Sequence, residues 1–412
     1  GAAQTIETHG PYQHGAGFPA VNGLTPLTPY SPNIPTSLGP STLMGPAFPG
    51  VFASEFGCSV FSSFESMAPT LDPVHWGMHG GAPPDSCVGV FANTCVGNNT
   101  MAQRNYPCDN TILTYFGALA NWNASGAAAF QAQLYLCMLG QALEMKSDIE
   151  GRRSTNEWGT VTWQLNEIWP TGGWGSVEYG TVDFTRGQVT GGRWKPLQYW
   201  MAARLYRDVA VLCGGDGRCV IKNDNPLAPL AGVASFAAVH LATGAVTPVA
   251  SLPVSLPAGA GAAQWTCWNG GNGTACASPA TVLTAAGCAA AGTDCVLVTN
   301  VSVAGTPVAD NIILATIPGA LTLPANPAPT LAIGTLASGA VPLTLTTTAT
   351  AMFVHLTTAS SGRFSDNSFC MFGAASRSLT FLPTDAASFD PDLFATTLRV
   401  EHLAQYWPAV GA

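Results

Sequence analysis

Charged residues are scarce in this sequence of 412 residues. Asp, Glu, Lys and Arg together make up 9% of the chain, with 23 acidic against 14 basic residues and a formal net charge of -9. Nucleic-acid binding needs clustered Lys and Arg that neutralise phosphates. The composition therefore excludes nucleic acid as an expected partner.

The few charges are also unevenly spread. Between Asn225 and Cys295 the sole charged residue is Asp294, and after Asp310 the next is Arg363. A surface so poor in charge needs another source of solubility, which N-linked glycans would supply. We therefore expect a glycosylated, secreted chain.

Glycan acceptor motifs and cysteines support this expectation. N-x-S/T sequons place predicted glycosylation at Asn98, Asn123, Asn272 and Asn300. Twelve cysteines are present without any CxxC metal pattern, and short separations are typical of small disulfide loops. The candidate loops are Cys87/Cys95, Cys213/Cys219, Cys267/Cys276 and Cys288/Cys295, although spacing alone leaves the pairing open. We expect an extracellular or a lysosome- or vacuole-like location and no metal site.

A long hydrophobic helix is also missing. The uncharged run 230–263 contains Pro248, Pro253 and Pro257, which interrupt a helix long enough to span a membrane. We predict strands there and no membrane span. The chain opens at Gly1 without a signal peptide, and we interpret it as a processed or truncated piece.

Two patterns divide the chain. Before about residue 212, apolar residues recur at helical spacing from Phe130 to Ile149, which predicts a long amphipathic helix. A strand-like GTVTWQL (159–165) and a second helical stretch from Trp194 follow, which is an α/β alternation.

Short runs of Val, Thr, Ala and Leu separated by Pro, Gly and Asn follow Cys213 and are typical of antiparallel β-sandwiches. A proline-rich stretch around Leu323 to Gly334 indicates a further boundary. The predicted domains are thus 1–212, 213–322 and 323–412.

The segment FASEFGCSVFSSFESMAP, Phe52 to Pro69, carries the main candidate for chemistry. Glu55 follows a short apolar run and precedes a glycine, where a strand ends. In a (β/α)8 barrel, catalytic residues lie at the carboxyl ends of strands, and a retaining glycosidase uses one carboxylate as nucleophile. The alternative is a surface glutamate in a turn.

Long strings in the sequence resemble the β-mannosidase branch of glycoside hydrolase family 2. SEFG followed by SSFESMAP resembles the nucleophile segment of that family. WGTVTWQLNEIWPTGGWGSVEYG (158–180) and GRWKPLQYWMAARLY (192–206) resemble its eighth barrel strand and final helix, and GRFSDNSFCMFGAASRSLTF (362–381) its last immunoglobulin-like domain.

This resemblance implies an α/β plus all-β fold. Residues 1–212 would be the C-terminal part of a (β/α)8 TIM barrel, with strands six to eight. Residues 213–322 and 323–412 would each form an immunoglobulin-like β-sandwich.

The resemblance also implies site residues. Glu55 would be the catalytic nucleophile, His9 in ETHGPYQHG would line the pocket, and Trp163 would form the aromatic floor beneath the sugar. For His9 and Trp163 an ordinary structural role is the alternative. His14 has no counterpart in the resemblance.

Asn166 and Glu167 match the family's Asn-Asp on strand eight. They are predicted at the pocket rim, where Glu167 would bond sugar hydroxyls, with a structural carboxylate as its alternative. Trp169 and Trp174 would shape the same rim.

An acid/base residue is not found in the chain. In this clan of glycosidases an Asn-Glu pair on strand four supplies it, yet no such pair precedes Glu55, and about 50 residues are too few for five strands. We predict a partner, the N-terminal chain of the same enzyme, with Cys58, Cys108, Cys137 or Cys370 as possible disulfide links.

The implied reaction is hydrolysis of terminal β-D-mannose residues, or of a related β-linked glycan, with retention of configuration and with no metal or organic cofactor. Two alternatives stay open. One is an exo-β-glucosaminidase of the same family, and the other is a catalytically inactive relative that serves as a carbohydrate-binding or extracellular scaffold.

Overall fold

A computed structural model describes residues 6–10, 12, 51–78, 101, 106–117, 124–157, 159–185, 188–259 and 261–407. Asn98, Asn123, Cys87, Cys95 and His14 lie outside the described residues, so the predictions on them stay predictions.

The described strands are β1 (Ile6–His9), β2 (Val51–Phe56), β3 (Gly159–Thr162), β4 (Gly180–Asp183), β5 (Gln188–Gly191), β6 (Val209–Cys213), β7 (Arg218–Asn223), β8 (Leu230–His240), β9 (Val246–Leu256), β10 (Ala262–Cys267), β11 (Cys295–Val303), β12 (Thr306–Ile313), β13 (Thr330–Ile333), β14 (Val341–Thr347), β15 (Ala351–Thr357), β16 (Gly362–Phe364), β17 (Phe369–Met371), β18 (Ala375–Pro383) and β19 (Arg399–Glu401).

The described α-helices are α1 (Phe64–Met67), α2 (Tyr106–Tyr115), α3 (Ala127–Ser154), α4 (Pro196–Trp200), α5 (Pro279–Ala285), α6 (Pro391–Thr397) and α7 (Leu403–Tyr406). Short 3-10 turns span Ala68–Thr70, Pro73–His75 and Pro318–Ala320, and a π-helical turn spans Met201–Leu205. No described helix is long and apolar enough to cross a membrane.

A small parallel sheet forms the first structural unit. Strands β1, β2 and β3 lie side by side in that order, and both pairings are parallel. Parallel strands require a crossover, and the long helix α3 lies in the connection from β2 to β3. The α/β alternation predicted before residue 212 is present in this segment.

Helix α3 differs from its predicted amphipathic form, because nearly every residue from Gln133 to Ser154 is buried, polar ones included. The physical reason is that neighbours surround it. The Tyr135 hydroxyl donates to the Phe353 carbonyl at 2.7 Å, and Arg153 donates to the Leu205 carbonyl at 2.5 Å and to the Asp224 carboxylate at 2.8 Å. Such a helix has no solvent face, so its pattern need not show one.

Two antiparallel sheets follow, in strand orders β12-β11-β8-β9 and β10-β7-β6. One apolar cluster lies between them and includes Val211, Ile221, Phe236 and Leu297. The uncharged run from residue 230 thus forms strands, as predicted. The first strand of this unit begins at Val209, slightly before the predicted boundary.

The C-terminal unit also consists of two sheets, in orders β13-β14-β18-β16 and β17-β15-β19. Strand β14 alternates buried and exposed residues, which is the pattern of a sheet with one core-facing side. Strand β15 is buried throughout, because α3 and α7 cover the side opposite the sandwich core.

Four disulfides are described, and they correct part of the sequence analysis. Three short loops pair as their spacing suggests, at Cys213–Cys219, Cys267–Cys276 and Cys288–Cys295. The fourth joins Cys108 in α2 to Cys137 in α3, so neither is available as a link to another chain. Cys58 and Cys370 are outside these disulfides.

Candidate active site

Glu55 lies at the carboxyl end of the central strand of the parallel sheet. His9 is its register partner on β1, and a bulge at Thr8/His9 brings the two residues level. Gly57 lies against the backbone that follows β3. A Cβ at this position would be 2.1 Å from the Trp163 carbonyl oxygen. The glycine in SEFG is therefore required by close backbone packing.

The Glu55 carboxylate is held by two neighbours at a single oxygen. His9 Nε2 lies 3.0 Å from Glu55 Oε1, and the Tyr12 hydroxyl donates to the same oxygen. The His9 ring is oriented from its other side, where Ser54 Oγ lies 3.3 Å from Nδ1. About a quarter of the Glu55 side chain stays exposed, so the carboxylate can be reached by a ligand.

Tyr12 is a candidate site residue that the sequence analysis missed. Its hydroxyl also lies 3.3 Å from His9 Nε2, and its ring packs edge-on against Trp174 at 6.4 Å between centroids. Burial and the adjacent Glu55 carboxylate raise the pKa of Tyr12, so the phenol keeps its proton and acts as a donor. A signal was present, because HGPY places an aromatic hydroxyl directly after the strand that ends at His9.

The residues that follow β3 form an exposed apolar rim. Trp163 is 43% exposed and Trp169 51% exposed, with Leu165 and Ile168 exposed between them. The peptide bond from Trp163 to Gln164 is cis. Because parallel strands end at the same edge of the sheet, Trp163 and Glu55 lie at one edge, as their predicted shared site requires.

Asn166 and Glu167 lie in this loop in different environments. Asn166 is exposed, and its amide donates to the Glu167 carbonyl at 3.3 Å. Glu167 is 4% exposed and accepts from Lys195 Nζ at 2.6 Å. A Cβ at Gly173 would lie 2.2 Å from Glu167 Oε2, so the loop backbone closes over the carboxylate. This geometry favours the structural role of Glu167 over contact with a sugar.

Glu178 forms a second buried tie near the site. Its Oε1 accepts from the Ser63 backbone NH at 2.8 Å and its Oε2 from the Ser63 hydroxyl at 2.9 Å. The Ser66 hydroxyl donates to Oε2 as well. The carboxylate therefore holds the segment after β2 against the segment that follows Trp174.

Three other carboxylates near the site, those of Glu157, Glu167 and Glu178, are engaged with partners. Glu157 pairs with Arg152 at 2.9 Å, and the same guanidinium donates to the Gly10 carbonyl at 2.9 Å. Glu167 is paired with Lys195, and Glu178 accepts hydrogen bonds from Ser63 and Ser66. Within the described ranges, we find no carboxylate positioned opposite Glu55 as an acid/base.

Two predicted glycosylation sites are described. Asn272 lies exposed in the loop of the Cys267–Cys276 disulfide, and Asn300 is half-buried in β11.

His240, Cys288 and Cys295 come within 4.8 Å of one another, as metal ligands do. The two sulfurs are bonded to each other in a disulfide, so this grouping lacks the thiolates that a metal requires.

Comparison with known proteins gives consistent matches. The mannosidase Ig-fold domain model matches residues 327–406. β-Mannosidase A of Aspergillus oryzae is 28% identical over 185 residues, covering 39% of this chain and 17% of that protein. A goat (Capra hircus) β-mannosidase is 30% identical over 159 residues, covering 36% of this chain and 15% of that protein.

Solved structures extend the match to the fold of most of the chain. A β-D-mannosidase from Dictyoglomus thermophilum superposes with a TM-score of 0.57 at 16% identity, covering 86% of this chain and 37% of that one. An exo-chitosanase from Amycolatopsis orientalis gives 0.54 at 13% identity, covering 95% and 47%. The chain thus spans less than half the length of these proteins, and its resemblance to the C-terminal region of family 2 β-mannosidases is confirmed.

Proposed function

We propose that this chain supplies the nucleophile half of a retaining exo-β-glycosidase that removes terminal β-D-mannose residues. One observation carries the proposal: Glu55 is a partly exposed carboxylate at the carboxyl end of a parallel strand, held by His9 and Tyr12. The buried carboxylate of Glu167 is instead paired with Lys195 and covered by backbone.

The geometry suits a double displacement. His9 and Tyr12 both engage Oε1 of Glu55, which leaves Oε2 as the attacking atom. Oε2 forms a bond to the anomeric carbon while the glycosidic oxygen leaves with a proton from the acid/base. Water then breaks the glycosyl-enzyme bond after the same acid/base removes its proton, and Glu55 is regenerated.

Trp163 and Trp169 would receive the sugar. A hexose presents one face of C–H groups, and aromatic rings pack well against such faces. Trp163 follows β3, and its backbone NH donates to the carbonyl of Phe56, the residue after Glu55, at 2.8 Å. Its side chain is substantially exposed. We assign it the floor of the sugar site and assign Trp169 and Asn166 the rim.

We infer that residues 1–212 contain the last three strands of a (β/α)8 barrel, completed by an N-terminal chain or segment. Strands β1 and β3 each pair with β2 alone within the described residues. Unpaired outer edges are an aggregation hazard in a folded protein. The completing strands would cover both edges and carry the acid/base glutamate.

The assay is p-nitrophenol release from p-nitrophenyl β-D-mannoside by the native assembly, with Glu55→Gln compared with Glu7→Gln. Glu7 is an exposed carboxylate on β1. We expect Glu55→Gln to lose at least about a thousandfold in kcat and Glu7→Gln to retain wild-type turnover. Azide should restore turnover to Glu55→Ala and yield the α-mannosyl azide, because azide then attacks in place of the carboxylate.

The same assay separates the rival functions. Faster turnover of the β-D-glucosaminide would favour an exo-β-glucosaminidase, which the fold likeness to the exo-chitosanase makes the second candidate. An assembly inactive on every β-glycoside would support the scaffold instead. Equal activity of the wild type and Glu55→Gln would refute the assignment of the nucleophile.

A further inference from the structure

A cavity of about 300 Å³ lies where the three structural units meet. Helix α3, the π-helical turn, strands β6, β11 and β12, and the C-terminal sandwich all contribute to its wall. Much of the inner wall is apolar and includes Trp200, Phe353 and Phe369, which are 6%, 4% and 3% exposed. The buried ion pair of Lys146 with Glu150 and the side chain of Asn311 also line it. A space of this size is at the small end of the range that proteins use to bind ligands.

The mouth of the cavity is polar. Arg207 and Asp310 line it with side chains 46% and 50% exposed, and Arg204 donates to Asp310 at 3.2 Å. This combination of an aromatic interior with guanidinium donors and a carboxylate acceptor is characteristic of sites that bind small polar molecules.

Asn300 lies in the wall of this cavity. It is the register partner of Asp310 across β11 and β12, so it shares the face of Asp310 at the mouth. It is half-buried, and within the described residues its side-chain amide makes no hydrogen bond. It also begins the sequon Asn300-Val301-Ser302.

We propose that Asn300 carries an N-linked glycan whose first N-acetylglucosamine occupies this cavity and braces the three units against one another. The C–H face of the sugar would pack on the aromatic wall. Its acetamido and hydroxyl groups would meet Arg204, Arg207 and Asp310 at the mouth.

The attachment must precede folding. In the folded chain Asn300 is within β11, which pairs with β8 on one side and β12 on the other, so the backbone cannot enter a transferase. In the unfolded chain, the Asn300 amide nitrogen bonds to C1 of N-acetylglucosamine. The bond from C1 to the diphosphate of a lipid-linked oligosaccharide breaks, and the amide proton leaves with the diphosphate. Folding then closes the three units around the sugar.

Asn272 provides the matched comparison within the chain. It is exposed in a disulfide loop, and its Oδ1 accepts from the Thr274 backbone NH and hydroxyl at 3.1 and 2.6 Å. A glycan on the Asn272 nitrogen would extend into solvent. The two sites therefore differ in burial while sharing the same attachment chemistry.

The first test is glycopeptide mass spectrometry of the secreted protein combined with timed deglycosylation by peptide N-glycosidase. We expect Asn300 to be occupied and its glycan to be released at least about tenfold more slowly than that of Asn272 in the folded protein. After denaturation the two rates should converge. An unmodified Asn300, or equal rates in the folded protein, would overturn the proposal.

The second test separates the glycan from the asparagine itself. Ser302→Ala removes the sequon and leaves Asn300 in place, whereas Ser302→Thr keeps the sequon. We expect Ser302→Ala to lower Tm by roughly 2–4 °C, while Ser302→Thr and Asn272→Gln match the wild type. A Ser302→Ala protein that lacks the glycan and has the wild-type Tm would refute the stabilising role of the sugar.

Discussion

Lys195→Met tests the buried pair that the structure assigns to Glu167. Lys195 has no exposed side-chain surface and Glu167 has 3%, and their charged atoms lie 2.6 Å apart. Gly173 and Gly175 close over the carboxylate with backbone. Without the lysine, the carboxylate would be left charged in a space that water cannot enter.

The expected cost follows from this burial. Removing one partner of a buried ion pair typically destabilises a protein by about 3–5 kcal/mol, because the remaining charge is uncompensated. At about 2–4 °C per kcal/mol, Tm should fall by roughly 6–20 °C. A double variant, Lys195→Met with Glu167→Leu, should recover part of that loss, since no charge remains buried.

Differential scanning fluorimetry measures the shift, and Arg218→Met is the control. Arg218 pairs with Asp216 at 2.6 Å but is 34% exposed, so its loss should cost less than about 1 kcal/mol. If Lys195→Met and Glu167→Gln kept the wild-type Tm while Glu167→Gln raised KM for the mannoside, the structural role would be refuted and Glu167 would be a sugar ligand.

Three further predictions concern stability. Burial without a hydrogen bond raises the pKa of Asp148 to about 7, so the folded state prefers the protonated acid and loses stability as pH rises from about 4 to 7. Asp148→Asn should therefore gain about 2–3 kcal/mol more over wild type at pH 8 than at pH 5, and equal gains in Tm would contradict this. Replacing Cys108 and Cys137 by serine should cost about 3–4 kcal/mol for a separation of 29 residues, seen as a lower urea midpoint. Gly319→Ala should cost about 1–3 kcal/mol, because its Cβ would lie 2.4 Å from the Phe116 carbonyl oxygen, and an unchanged Tm would show that this backbone can move.

Local signals in the sequence predicted where the main residue of the candidate site lies. Glu55 follows an apolar run and precedes a glycine. This local pattern alone predicts that it lies at the end of a strand. His9, the last residue of β1, and Trp163, directly after β3, were predicted as site residues by the family resemblance. The parallel sheet then brings the three residues to one edge, as the alternation of strand and helix implied.

Contacts across the sequence could not be predicted in this way. Tyr12 joins the candidate site only because its hydroxyl reaches Glu55, 43 residues away. The partner of Glu167 is 28 residues away, and its loop, which looked like a pocket rim, places the carboxylate beneath backbone. Helix α3 followed the expected periodicity over its apolar positions, but its polar residues are buried by units that come much later in the chain.

The motifs that resemble the family most closely are largely structural ties. Glu178 holds Ser63 and Ser66. Arg193 donates to the Thr358 and Ala359 carbonyls of the C-terminal unit at 2.6 and 2.7 Å. A catalytically inactive scaffold would need these contacts to fold as much as an enzyme does, so their presence identifies the architecture and is neutral about activity. Glu55 is different, because its carboxylate is held by His9 and Tyr12 at one oxygen and is partly exposed. Its contribution to turnover, measured against Glu7, therefore distinguishes an enzyme from a scaffold where the longer motifs do not.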